Sequence, residues 1–120
     1  MTALLAGRRI LVVEDEALIA MSIEDALVDA GAKVVGPSIS VERALKSLQH
    51  EHVDAIVLDM NLNGTSARPI AEAAASRAIP FLVLSGYGAQ AINEIPGNAL
   101  VLSKPFDPDE LVDVIRKLVE

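Results

Sequence analysis

Ala55-Ile56-Val57-Leu58-Asp59 decides the reading of this chain. Four apolar residues end abruptly in a carboxylate, and Met60-Asn61-Leu62-Asn63-Gly64 follows. A short apolar run bounded by turn residues reads as a buried strand, here roughly 54–58. A strand buried on both faces belongs to a parallel sheet. Asp59 then stands where the strand leaves the core, the end at which open α/β sheets bind ligands. Taken alone, Asp59 reads more readily as the cap of the next helix, so the other strand ends have to decide.

Working outward, Ile10-Leu11-Val12-Val13 is a first strand closed by Glu14-Asp15-Glu16. Ile19, Ile23, Ala26, Leu27 and Ala30 then recur on one helical face, and Gly31 follows as a C-terminal glycine. Lys33-Val34-Val35-Gly36 is a short second strand that Pro37-Ser38 is expected to break, and Ser40 caps a helix with Val41, Ala44, Leu45 and Leu48 inward. Beyond Gly64, Ile70, Ala73 and Ala74 keep helical spacing, with Pro69 in the first turn, where a missing N–H costs little. Phe81-Leu82-Val83-Leu84 is a fourth strand closing on Ser85-Gly86-Tyr87-Gly88, and residues 89–95 hold a short helix. Ala99-Leu100-Val101-Leu102 is a fifth strand, followed by Ser103-Lys104-Pro105. Asp107-Pro108-Asp109-Glu110 opens the last helix with a cap, a proline at the first position and a glutamate at the third. Leu111, Val114, Ile115 and Leu118 form its buried stripe, while Met21 and Met60 read as packing residues.

Five strand–helix units in alternation imply an α/β fold: a doubly wound five-stranded parallel sheet in the order 2-1-3-4-5, of flavodoxin-like topology, with helices on both faces. The 120 residues suffice for one domain, expected over 8–120, with residues 1–7 as a short, poorly ordered lead-in. Apolar residues make up 52% and aromatics only 2%, so the core is aliphatic. There is no cysteine, which removes thiolate metal sites and thiol nucleophiles and suits a cytoplasmic location. A net charge of −7 argues against nucleic-acid binding, and no apolar run approaches the roughly 18 residues of a membrane span.

In that sheet order the first and third strands are neighbours, so Glu14, Asp15 and Asp59 share one crevice. The fourth strand delivers Ser85 to the same end and the fifth delivers Lys104. Crowded carboxylates raise one another's pKa unless a cation joins them. An all-oxygen ligand set points to Mg²⁺. With an ammonium and a hydroxyl beside it, the arrangement suits a phosphoryl group, and a carboxylate can itself become the phosphoryl acceptor. Each residue also has an ordinary structural reading as a cap, a turn residue or a solvated lysine; the joint pattern at one sheet edge outweighs them.

The set Val12-Val13-Glu14-Asp15-Glu16, Leu58-Asp59, Leu84-Ser85-Gly86 and Ser103-Lys104-Pro105-Phe106 closely resembles the receiver domain of two-component response regulators, over roughly residues 8–119. The resemblance implies that Asp59 accepts a phosphoryl group from a histidine kinase or phosphotransfer protein. It implies that Asp15 binds Mg²⁺ directly, with Glu14 acting largely through water and the backbone carbonyl of Asn61 as a further ligand. Ser85 and Lys104 would contact the phosphoryl group, and Pro105 would follow a cis peptide. The chain would act as a cytoplasmic single-domain response regulator, monomeric or weakly dimeric, that switches a surface for a downstream protein target rather than turning over outside substrates.

The chain also departs from the family pattern. Gly64 comes only five residues after Asp59, and the loop between them has no proline. Val101 occupies the position of the usual switch aromatic, leaving Tyr87, the only tyrosine, as its substitute. The Ser-Gly-Tyr run and short loop look like receivers common in alphaproteobacteria. An aspartate-nucleophile phosphatase would carry a second acid where Asn61 stands, and a flavin module would not tolerate Glu14-Asp15-Glu16 at its phosphate loop. A phosphorylation-independent, receiver-like interaction module remains the alternative.

Overall fold

A computed structural model describes residues 4–62, 64–85 and 99–120. The chain runs β1 (Arg9–Val13), α1 (Ala17–Asp29), β2 (Lys33–Ser38), α2 (Val41–His50), β3 (Ala55–Asp59), β4 (Asn61–Leu62), β5 (Thr65–Ser66), α3 (Arg68–Ser76), β6 (Phe81–Ser85), β7 (Ala99–Ser103) and α4 (Pro108–Val119). Five of the strands form a sheet in the order β2-β1-β3-β6-β7, every pair parallel. This is the expected doubly wound order, with β1 and β3 side by side. The short helix anticipated over 89–95, and Tyr87 with it, lie outside the described residues.

Strand alternation splits the core in two. Ile10, Val12, Ala55, Val57, Leu82 and Leu84 face α1 and α4, where they meet Ile23, Leu27, Leu111 and Ile115. Leu11, Val13, Ile56, Leu58, Phe81 and Val83 face α2 and α3, where they meet Ala44, Leu48, Ile70 and Ala74. Successive strand residues point to opposite faces, so a strand covered on both sides must be apolar throughout. All five residues of β3 are accordingly buried, Asp59 included. Two of the anticipated helix starts take the anticipated form: Ser40 Oγ accepts from the Arg43 N–H at 3.2 Å, and Asp107 and Glu110 form a reciprocal capping box.

Several local features differ from expectation. β2 does not break at Pro37 but continues to Ser38. As an edge strand it has a side where a missing donor goes unnoticed. Gly36 makes the passage feasible: its φ is +91°, and a Cβ there would stand 2.7 Å from the Ser38 nitrogen. The detour brings the Ser38 carbonyl over the end of β1, where it accepts the Glu14 N–H at 3.1 Å. Met21, read as a packing residue, is 57% exposed because it lies about 200° round the helix from Ile19; Met60 does pack against the α2/α3 side of the core.

The lead-in is not loose where it is described. Residues 4–7 form a turn, and the Leu5 side chain is fully buried in the α1/α4 side of the core. The Leu5 N–H donates to the Ala30 carbonyl at 2.8 Å and the Gly7 N–H to that of Gly31 at 3.3 Å. Burying a leucine stabilises by roughly 1.5–3 kcal/mol, enough to tie down a short terminal segment. Beyond Asp59, β4 and β5 form a small antiparallel hairpin closed by Gly64 at φ +83°, with the Ala67 N–H donating to the Met60 carbonyl at 3.0 Å. Among the described residues no helix is long and apolar enough to cross a membrane.

Candidate functional site

The parallel sheet delivers every main strand's C-terminal residue to one edge. Asp59 is the last residue of β3 and sits opposite Leu84; Ser85 is the last residue of β6 and sits opposite Ser103. The Lys104 N–H donates to the Ser85 carbonyl at 2.9 Å, so the lysine leaves the sheet locked to the serine's backbone. The Lys104–Pro105 peptide is cis, as the family resemblance implies.

Glu14, Asp15 and Asp59 come together: one carboxylate oxygen from each lies within 4.8 Å of the others. Glu14 is fully buried, and Asp59 and Ser85 are each 8% exposed. Lys104 Nζ reaches into the cluster, 3.2 Å from Glu14 Oε1 and 3.4 Å from Asp59 Oδ2. The other Glu14 oxygen, Oε2, accepts the Glu16 N–H at 3.2 Å. The Glu14 carboxylate is therefore held from both sides, by an ammonium and by a backbone amide.

Three carboxylates face one ammonium, and Glu14 bears the strain. Burial chiefly, then its hydrogen bond and charge repulsion with Asp59, push its pKa up to about 7, against the opposing pull of the Glu16 amide and Lys104. For Lys104, desolvation acts to lower the pKa, but the hydrogen bond to Glu14 and the charge of Asp59 outweigh it, and the ammonium is held more firmly than in water. Asn61, expected to offer its carbonyl, lies in β4 at the start of the hairpin. Val101 is partly buried on the α2/α3 side of the core, opposite Val83 in the register.

The cluster has the donor chemistry of a hard-cation site: carboxylate oxygens converging at one crevice, an excess of negative charge, and no nitrogen or sulfur ligand within the group. The residues present fit Mg²⁺ on those grounds. Sequence reasoning anticipated the convergence of Glu14, Asp15, Asp59 and Lys104. It missed the direct Glu14–Lys104 ion pair, for which the sequence carries no local signal, and it missed the hairpin of β4 and β5, for which the glycine at position 64 is the turn signal.

The fold and this acidic crevice define an α/β module of flavodoxin-like topology with a carboxylate cluster at the C-terminal edge of its sheet. Residues 10–116 match the response regulator receiver domain, and the chain belongs to that family of two-component signalling proteins. It is 29% identical over 118 residues to the transcriptional regulatory protein PdtaR of Mycobacterium tuberculosis, an alignment covering 93% of this chain and 57% of PdtaR. The chain thus spans little more than half the length of that relative. The solution structure of SdrG from Sphingomonas melonis Fr1 is 37% identical, with full coverage of both chains and a TM-score of 0.78. The receiver domain of the sensor histidine kinase PA1611 from Pseudomonas aeruginosa PAO1 is 25% identical, covers 95% of this chain and 98% of its own, and has a TM-score of 0.82; that structure holds a magnesium ion coordinated in its active-site cleft.

Proposed function

We propose that this chain is a phospho-accepting receiver in which Asp59 takes a phosphoryl group from a histidine kinase or phosphotransfer protein. One observation carries the reading: three carboxylates and the Lys104 ammonium meet at the end of the sheet, within hydrogen-bonding reach of the lysine for two of them. A carboxylate oxygen of Asp59 attacks phosphorus, and the bond to the donor breaks in line with it. Asp15, Asp59 and the Asn61 carbonyl would hold Mg²⁺, with Glu14 at the second rank. When bound, that ion offsets the charge of the phosphoryl oxygens and the crowded acids. Lys104 donates to a phosphoryl oxygen, and Ser85, one strand from Asp59 and nearly buried, donates its hydroxyl to another.

Phosphorylation adds about one to two negative charges to a crevice already rich in them, and among the described residues Ser85 and Lys104 offer donors from the β6 and β7 side. Drawing both inward biases β6, β7 and the segment between them toward a second arrangement. Tyr87 is the proposed moving ring, since Val101 has none to offer. The output is a surface for a downstream protein, and the acidic chain works in the cytoplasm without nucleic acid or membrane. It catalyses its own phosphoryl transfer and hydrolysis and turns over no outside substrate.

The test is Mg²⁺-dependent labelling with acetyl phosphate, read by intact mass, on wild type and Asp59→Asn. One phosphoryl group gained by wild type alone supports the reading. No gain by wild type, together with an unchanged NMR spectrum on adding beryllofluoride and Mg²⁺, would replace it with an interaction module independent of phosphorylation.

A further inference from the structure

We propose that Glu14 is a positioning residue that acts through Lys104: it gives the ammonium a second seat, so that Asp59 can turn to the cation and to the phosphoryl group. The inference rests on the phospho-acceptor reading above. In the resting arrangement Lys104 Nζ is shared, 3.4 Å from Asp59 Oδ2 and closer, at 3.2 Å, to Glu14 Oε1. A divalent cation held by Asp15 and Asp59 would compete with the ammonium for the negative charge of Asp59. If the ammonium had no other partner, its displacement would leave a partly buried charge uncompensated, which is costly.

Glu14 removes that cost. Its side chain is fully buried and fixed by the Glu16 amide at 3.2 Å, so its carboxylate does not swing away when Asp59 lets go. The backbone of Glu14 is itself held by the Ser38 carbonyl at 3.1 Å. Lys104 enters from β7, two strands away from β3 and three from β1, so the carboxylate from β1 must extend toward it. The extra methylene of glutamate supplies that reach; an aspartate at position 14 would carry the same charge and stop short of the ammonium.

At pH 8, where residue 14 is ionised in either form, Glu14→Asp conserves charge and so separates reach from electrostatics. Mg²⁺ affinity of the full chain would be measured by amide NMR titration for wild type, Glu14→Asp, Lys104→Met and the double variant, with amide dispersion confirming each fold. Glu14→Asp is expected to weaken Mg²⁺ binding about tenfold, or about 1.4 kcal/mol, because the released ammonium returns to Asp59. Lys104→Met strengthens binding several-fold, and the double variant matches Lys104→Met within about twofold, since with no ammonium to seat the length of residue 14 ceases to matter. Wild-type affinity in Glu14→Asp, or a double variant that keeps the full tenfold defect relative to Lys104→Met, overturns the role assigned to Glu14. A wild type that takes up no Mg²⁺ overturns instead the reading of the site on which the role rests. The side-chain ¹⁵N signal of Lys104, followed without metal, gives an independent readout. It shifts in Glu14→Asp if the seat exists, and an unmoved signal refutes the seat.

Discussion

Lowering the pH should weaken Mg²⁺ binding through a single group, Glu14. Its pKa is pushed from the ordinary 4.5 up to about 7, burial being the leading cause. A divalent cation beside the cluster favours the charged form and lowers that pKa again, so metal binding and proton release are linked. With a pKa of about 7 in the metal-free state, about nine in ten Glu14 side chains are ionised at pH 8 and about one in ten at pH 6. If binding needs the ionised form, apparent affinity falls about tenfold between those two values, or about 1.4 kcal/mol. Isothermal titration at both pH values, in buffers of different ionisation enthalpy, reads affinity and protons released together. Glu14→Gln should flatten the dependence. Equal affinities for wild type at pH 6 and pH 8, with no proton release, would refute the reasoning. The same shift has a sign for folding: the metal-free folded state keeps a proton that the unfolded chain has lost. The stability drawn from this group therefore declines as pH rises from 4.5 to about 7.

Three further outcomes are expected. Asp59→Asn takes no phosphoryl group and, by removing one of the crowded carboxylates, raises stability by about 1 kcal/mol, or roughly 4–8 °C in thermal midpoint; a lower midpoint by calorimetry would count against mutual repulsion in the cluster. Leu5→Ala, which empties a fully buried position, costs about 2–5 kcal/mol in urea unfolding, whereas a cost below about 0.5 kcal/mol would show that the segment before β1 contributes nothing to the core. Ser85→Ala, at a position 8% exposed beside β3, is expected still to accept the phosphoryl group but to respond with smaller amide shifts over β6 and β7, and wild-type-like shifts on phosphorylation would remove the serine from the proposed switch.

The fold was legible because β1, β3, β6 and β7 are each built on an unbroken run of four apolar residues and each described helix carries its own stripe. Ile10 and Val12 turn to one face and Leu11 and Val13 to the other, so no alternation of polar residues interrupts β1. The Asp107-Pro108-Asp109-Glu110 start could be read residue by residue because capping is local chemistry. What was not legible is long-range or side-chain specific. Leu4 and Leu5 look alike in the sequence, yet Leu5 is fully buried and Leu4 is 48% exposed. The backbone pairings of Leu5, its amide with the Ala30 carbonyl and its carbonyl with the Arg8 amide, go with the difference. The two-residue strands β4 and β5 are too short to show a period, and the passage of β2 through Pro37 depends on its lying at the sheet edge.

The site itself was legible for a different reason. In a parallel sheet all strands end at the same edge, so a residue's place relative to its strand's last apolar position is enough to bring it to the crevice. Glu14 and Lys104 are 90 positions apart in the chain and meet at 3.2 Å because each stands one residue beyond its strand. The sheet thus performs the assembly, and the sequence need only place the right side chain at each strand end. That economy has a limit. Strand endings determine which groups meet, but which of the carboxylates receives the ammonium depends on side-chain length and burial. Here a glutamate one methylene longer than aspartate, buried more completely than Asp59, takes the nearer share of Lys104. The charge pattern that marks the family and the partition of that charge among its members are therefore set at different levels, the first by topology and the second by a single side-chain length.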